Sequence, residues 1–154
     1  MTARKKVTIH TRGIASPAGG AYGVLLSHGD CRKDLSGGEA GASNNRMDLL
    51  SAVEGLRALK PPCQVVLYNT NSYLTDGMSK GWARRWRENG WRTEADKPTA
   101  HADLWDMLLK LCAIHEVEFV WLPASAQIAD YEQCDRLARQ VLASQIRRII
   151  EDRD

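Results

Sequence analysis

The stretch from Leu49 to Tyr68 constrains this chain more than any other. Leu49, Ala52, Val53, Leu56 and Leu59 mark one face of a helix, and Pro61-Pro62 stops it. Gln64-Val-Val-Leu-Tyr68 then follows as a continuous apolar run between Pro and Asn. Such a run predicts a central strand covered by other elements rather than an edge strand. Three strands are expected before this unit, at residues 7–11, 21–27 and, more weakly, 31–36, with Gly/Ala/Ser/Pro-rich loops at 13–20 and 37–43. Ser43 or Asn44 can cap the helix. After it, short helices are expected at 72–77 and 81–89, a longer helix at 102–115 and a last strand at 117–122. A final helix starts near Tyr131, with Cys134, Leu137, Ala138, Val141, Leu142, Ile149 and Ile150 along its apolar stripe. This order predicts a mixed α/β sheet with helices on its faces.

At 154 residues, with 44% hydrophobic and 26% charged residues, the chain has the composition of a globular domain, not of a disordered or fibrous protein. One domain over residues 1–154 is expected, with 141–154 as a C-terminal helix extension. No apolar run approaches the ~18 residues of a membrane helix, and the basic start lacks a signal-peptide core, so a cytoplasmic, membrane-free protein is expected. The cysteines at 31, 63, 112 and 134 form no CxxC pair. Cys112 and His115 lie three apart, a spacing that fits helix packing better than a ligand set.

Net charge is only +2, but its distribution is uneven. Lys80, Arg84, Arg85, Arg87 and Arg92 stand against Glu88 alone, interleaved with Trp82, Trp86 and Trp91. Arginine pairs phosphate oxygens and neutralises backbone charge, so this window is a candidate nucleic-acid contact. Trp82 and Trp86, one helical turn apart, are also placed to pack the helix against the body.

Several blocks agree, in order, with one known family. They are Val7-Thr-Ile-His-Thr-Arg-Gly13, Ala21-Tyr-Gly-Val-Leu-Leu26, Asn44-Asn-Arg-Met-Asp-Leu49 and Val65-Val-Leu-Tyr-Asn-Thr-Asn-Ser-Tyr73. Trp82-Ala-Arg-Arg-Trp-Arg-Glu-Asn-Gly-Trp-Arg-Thr93, Lys97-Pro98, Asp103-Leu-Trp105, Val120-Trp121 and Glu132-Gln-Cys-Asp-Arg-Leu-Ala-Arg139 complete the set. Across roughly residues 7–140 the sequence resembles the bacterial type 1 ribonucleases H, which cut the RNA strand of RNA–DNA hybrids. The resemblance implies a five-stranded sheet, three antiparallel strands followed by parallel ones, with a basic handle at 82–93. It further implies that Asn44 and Asn45 face a minor groove, and that Lys97 joins the handle in contacting nucleic acid. Ser16-Pro17 stands where the family has Asn-Pro, in a loop two residues shorter.

The same resemblance implies an active site of four carboxylates around two divalent ions, served by a histidine. Carried over, those positions are Arg12, Asp48, Thr70 and Asp135, with Ser125 at the histidine position. Asp135 is retained, Asp48 is one methylene shorter than the family's glutamate, and the other three are lost. A guanidinium ~4 Å from a divalent ion is repelled by roughly 8 kcal/mol at an effective dielectric near 20. Arg12 is therefore expected to pair with Asp48 and Asp135 in place of metals, leaving no cofactor; Mg²⁺ or Mn²⁺ is implied only if the enzyme is active. Asp30, Asp76 and Asp130 are the acids nearest by loop position that could rebuild a site. Three functions follow: an inactive binder of RNA–DNA hybrid or other duplex; an active hybrid endoribonuclease with an altered metal site using Asp48 and Asp135; or a protein-interaction module presenting its C-terminal helix. The retained handle and the lost acids favour the first.

Overall fold

In the computed structural model, residues 4–152 are described. Three strands, β1 (Lys5–Ser16), β2 (Gly19–His28) and β3 (Cys31–Glu39), form a meander. They lead into α1 (Asn44–Arg57), β4 (Cys63–Asn69), α2 (Ser72–Ser79), α3 (Trp82–Glu88), α4 (Ala102–Ile114), β5 (Glu116–Trp121) and α5 (Ala129–Glu151). The sheet order is β3-β2-β1-β4-β5. The first three strands pair antiparallel, while β4 joins β1 in parallel, Val7 opposite Val65, and β5 joins β4 in parallel, Val65 opposite Val117.

Two segments expected as loops are strands. Residues 13–20 turn only at Pro17 and Ala18, where the Ser16 hydroxyl accepts from the Ala18 N–H at 3.1 Å; the rest extends β1 and β2. Residues 37–39 extend β3. The glycines here serve close packing rather than a turn. A Cβ on Gly13 would strike the backbone of Met47 and Asp48, so only glycine lets α1 lie against β1 at that point.

Helices α1 and α4 cover one face and α5 the other. The first face holds the main core: Ile9, Val24, Leu49, Val53, Leu56, Leu67, Leu74, Trp105 and Leu108 all have 0% exposure. Each such side chain contributes about 1.5–3 kcal/mol by leaving water. The α5 face is lighter, built on Ile14, Ala21 and Ala138 with Val141 and Leu142 at its margin. This explains why β4 is only half what its sequence suggests. Val65, Leu67 and Asn69 are buried, but Val66 and Tyr68, on the thinner side, remain half-buried. Tyr68 stacks on His10 at 4.8 Å.

Ser43, not Asn44, caps α1, its hydroxyl accepting from the Arg46 N–H at 3.2 Å. Arg46 then fastens the helix to its surroundings, pairing with Glu39 at 2.7 Å and Asp103 at 2.9 Å. At the other end, the stripe of α5 runs past the body. Ile146, Ile149 and Ile150 are 45%, 41% and 59% exposed, and Arg153 and Asp154 lie outside the described residues. No helix among the described residues is long and apolar enough to cross a membrane.

Candidate functional site

A cleft of about 400 Å³ opens where the end of β4 meets the starts of α1 and α2. Arg12, Gly13, Asn44, Asn45, Asp48, Thr70, Asn71, Ser72 and Ala124 line it. Asp135 approaches from α5 through its bond to Arg12.

The two acids sit in opposite environments. Asp48 is 4% exposed and ringed by neutral donors. Its Oδ1 accepts from the Gly13 N–H at 2.7 Å and the Asn69 amide at 3.1 Å, and its Oδ2 from the Asn71 amide at 2.9 Å. Burial pushes its pKa above the ordinary carboxylate value, against the opposing pull of those hydrogen bonds and of the Arg12 charge. Asp135 is partly open and faces two cations. Arg12 Nε donates to its Oδ1 at 3.2 Å and Arg139 Nε to its Oδ2 at 2.7 Å. Burial raises the pKa of Asp135, but the bonds from Arg139 and Arg12 outweigh it and hold the group below its ordinary value.

The expectation that Arg12 spans both carboxylates is half right. Among the described residues it pairs with Asp135 alone, while Asp48 takes three neutral donors instead. Its guanidinium lies 5.6 Å from the centroid of the Tyr131 ring, and the Tyr131 hydroxyl bonds Thr70 Oγ1 at 3.1 Å. The Thr70 position is thus tied to α5 by a neutral hydroxyl pair. Ser125 is exposed in the loop beside Ala124.

Sequence reasoning missed Asn69, Asn71, Tyr131 and Arg139. Two of these had a readable signal: Tyr131 and Arg139 lie four residues either side of Asp135 and share its helix face. The amides had none, since their role depends on the register that brings β4 against β1. Asn69 is wholly buried, donating also to Thr11 Oγ1 at 2.9 Å, while its Oδ1 accepts from the Asn71 N–H at 2.7 Å.

None of the three acids considered as replacements lines the cleft. Asp30 is exposed in the β2–β3 turn, Asp76 pairs with Lys80 at 3.5 Å, and Asp130 pairs with Arg32 at 3.0 Å. Among the described residues no group of three or more His, Cys, Asp or Glu side chains is placed to hold a metal ion. Every oxygen of Asp48 and Asp135 already has a donor, and the Arg12 guanidinium lines the cleft beside Asp48. These residues do not fit a pair of divalent ions.

The basic window divides. Arg87 pairs with Asp106 at 2.6 Å, Arg92 with Asp96 at 2.6 Å, and Lys80 with Asp76. Arg84, Arg85 and Lys97 are exposed and have no acidic partner among the described residues. Trp86 is half-buried, edge-on to Trp105 at 5.5 Å, and Trp91 packs at the margin of the core. Trp86 therefore packs α3 against the body, as its spacing suggested, while Trp82 meets Trp86 at 6.5 Å and Lys80 rather than the core. Trp82, Trp86, Arg85, Asn89, Arg92 and Glu94 also line an open pocket of about 400 Å³.

The sequence matches the RNase H family over residues 4–143. It is 44% identical over 139 residues to the ribonuclease H of Syntrophus aciditrophicus, covering 89% of this chain and 80% of that one. With the ribonuclease H of Rippkaea orientalis it shares 46% over 143 residues, 92% of this chain and 86% of the other. By structure it is similar to LC9-RNase H1, a type 1 RNase H with the type 2 active-site motif, with a TM-score of 0.80 and 24% identity over 94% of this chain and 75% of that one. LC11-RNase H1, solved in complex with RNA/DNA hybrid, aligns with a TM-score of 0.69 and 14% identity over 91% and 99% of the two chains. The fold is theirs, and the chain belongs to the ribonuclease H family.

Proposed function

We propose that this chain binds RNA–DNA hybrid, or another A-like duplex, without cutting it. The observation that carries this reading is Arg12 seated on Asp135, with Arg139 on that carboxylate's second oxygen. Two-metal hydrolysis needs acids free to take cations. Here Asp135 is committed to two guanidiniums and Asp48 is buried among three neutral donors, so a divalent ion would meet fixed positive charge at one acid and settled hydrogen bonds at both.

Binding has its own support. Arg84, Arg85 and Lys97 present charge with no acidic partner among the described residues, while Lys80, Arg87 and Arg92 are each offset by a paired aspartate. Trp86 and Trp91 hold this handle in place rather than stacking on bases. Asn45 accepts from the Asn71 amide at 2.8 Å through its Oδ1, which leaves its amide N–H groups to donate to sugar hydroxyls or base edges; Asn44 stands beside it at the cleft. A wide, shallow A-like minor groove displays such acceptors.

The names of the relatives favour the second reading, an active hybrid nuclease with an altered ion site. It requires Asp48 and Asp135 to release their present donors. The exposed Ile146, Ile149 and Ile150 favour the third, a protein contact through α5. One experiment separates them: labelled hybrid, double-stranded RNA and double-stranded DNA are titrated with and without Mg²⁺ while cleavage is followed. The proposal expects salt-sensitive binding, hybrid over B-form DNA, and intact strands. Metal-dependent cutting overturns it in favour of the second reading; no binding to any duplex at low salt overturns it in favour of the third.

A further inference from the structure

We propose that the cleft has changed from a cation seat to an anion seat: Arg12, with Arg139 beside it, takes one backbone phosphodiester of the bound duplex directly, without metal. The inference rests on the duplex-binding reading and adds a contact that the handle does not supply.

Arg12 spends only its Nε on Asp135, and its two terminal nitrogens have no protein acceptor among the described residues. A guanidinium that served only to neutralise the two acids would turn its fork onto them. This one instead lies over Tyr131, whose hydroxyl is anchored to Thr70, and lines the open cleft. Its orientation is fixed before any ligand arrives, which lowers the cost of ordering it on binding. The planar fork matches two non-bridging phosphate oxygens.

The surrounding charge permits an anion. Asp135 is balanced by two guanidiniums, and Asp48 lies buried behind amide and backbone N–H groups. Arg12 and Arg139 together balance the two acids, so an incoming phosphodiester meets a locally neutral site with the Arg12 guanidinium on its lining. Neutral donors on Asn44, Asn45 and Ser72 stand along the same cleft. The dipoles of α1 and α2, which both begin there, add to the positive field.

The test measures hybrid affinity in EDTA across a salt series for the wild type, Arg12→Gln, Arg12→Lys and the Arg84→Ala/Arg85→Ala pair, with thermal melts to establish folding. Arg12→Gln is expected to weaken binding roughly tenfold or more, as for a lost charge-assisted hydrogen bond, and to reduce the log–log salt slope by about one. Arg12→Lys keeps the charge and loses the fork, so it should keep the slope and lose part of the affinity. It also stands in for the glutamine variant should that one fail to fold. A hybrid carrying one neutral methylphosphonate linkage at the contacted position should lose a similar factor with the wild type and nothing further with Arg12→Gln. Wild-type affinity and slope in both Arg12 variants, alongside a weakened handle pair, would overturn the phosphate seat and leave the duplex-binding reading standing. No wild-type binding at low salt removes both.

Discussion

The cleft and the basic surface around α3 use charge in different ways. At the cleft each group is closely partnered: Gly13 lets α1 press on β1 and Asp48 points inward. A backbone N–H, amides and guanidiniums donate to every oxygen of Asp48 and Asp135. Around α3 Trp86 packs edge-on to Trp105 while Arg84, Arg85 and Arg87 stay exposed. Catalysis by ions depends on a few acids converging within ångströms, so it is sensitive to single substitutions. Backbone contact depends on a sum of screened charges, which tolerates individual loss. The contrast implies that the capacity to hold duplex is more robust than the capacity to cut it.

The largest expected effect comes from reversing the charge at the cleft. Arg12→Asp with Thr70→Asp should raise Mg²⁺-dependent hybrid cleavage about a thousandfold over the wild type, equivalent to several kcal/mol of transition-state stabilisation. Single-turnover cleavage checks this. No gain in a folded variant would mean that the cleft has lost shape as well as charge.

Glycine substitutions sharpen the contrast in stability. Gly13→Ala forces a methyl into the α1 backbone and should cost about 3 kcal/mol or more, read as a fall in denaturation midpoint. Gly81→Ala, in the handle, meets nothing within 4 Å and pays only for its positive φ of 78°, about 1 kcal/mol.

In the handle, Arg84→Ala with Arg85→Ala should flatten the log–log salt slope by about two in hybrid titrations. Adding Arg87→Ala should change little further, because Arg87 is already paired with Asp106.

The smallest effect separates the two acids by pH. The folded-state pKa of Asp135 is depressed, so its stabilisation is present above the ordinary carboxylate value and is lost as pH falls through the lower folded value. Asp135→Asn should therefore cost about 1 kcal/mol near pH 7, and its melts should converge with the wild type under acid. The folded-state pKa of Asp48 is raised, so it has the opposite sign: stability declines as pH rises from the ordinary value through the folded one. Melts of Asp48→Asn should lack that decline.

Much of the fold was legible because periodicity and proline placement are local signals. The helix stripe from Leu49 to Leu56 and the strand after the prolines lie where the sequence places them, though α1 ends at Arg57, leaving Leu59 beyond it. Residues 13–20 were misread because small residues serve both turns and close packing, and only the tertiary position of α1 tells which. At the site, the identity of the substituted positions could be read from the family's blocks, but partner choice could not. Whether Arg12 meets one carboxylate or two depends on Asn69 and Asn71 reaching Asp48 first, a matter of register between distant strands.

Calorimetric titration of the wild-type protein with Mn²⁺ asks whether fixed guanidiniums stand where divalent ions would bind. No saturable binding is expected, with identical traces for the wild type and Asp135→Asn. Saturable binding at one or two sites per chain, lost in Asp135→Asn, would show that the acids still take ions.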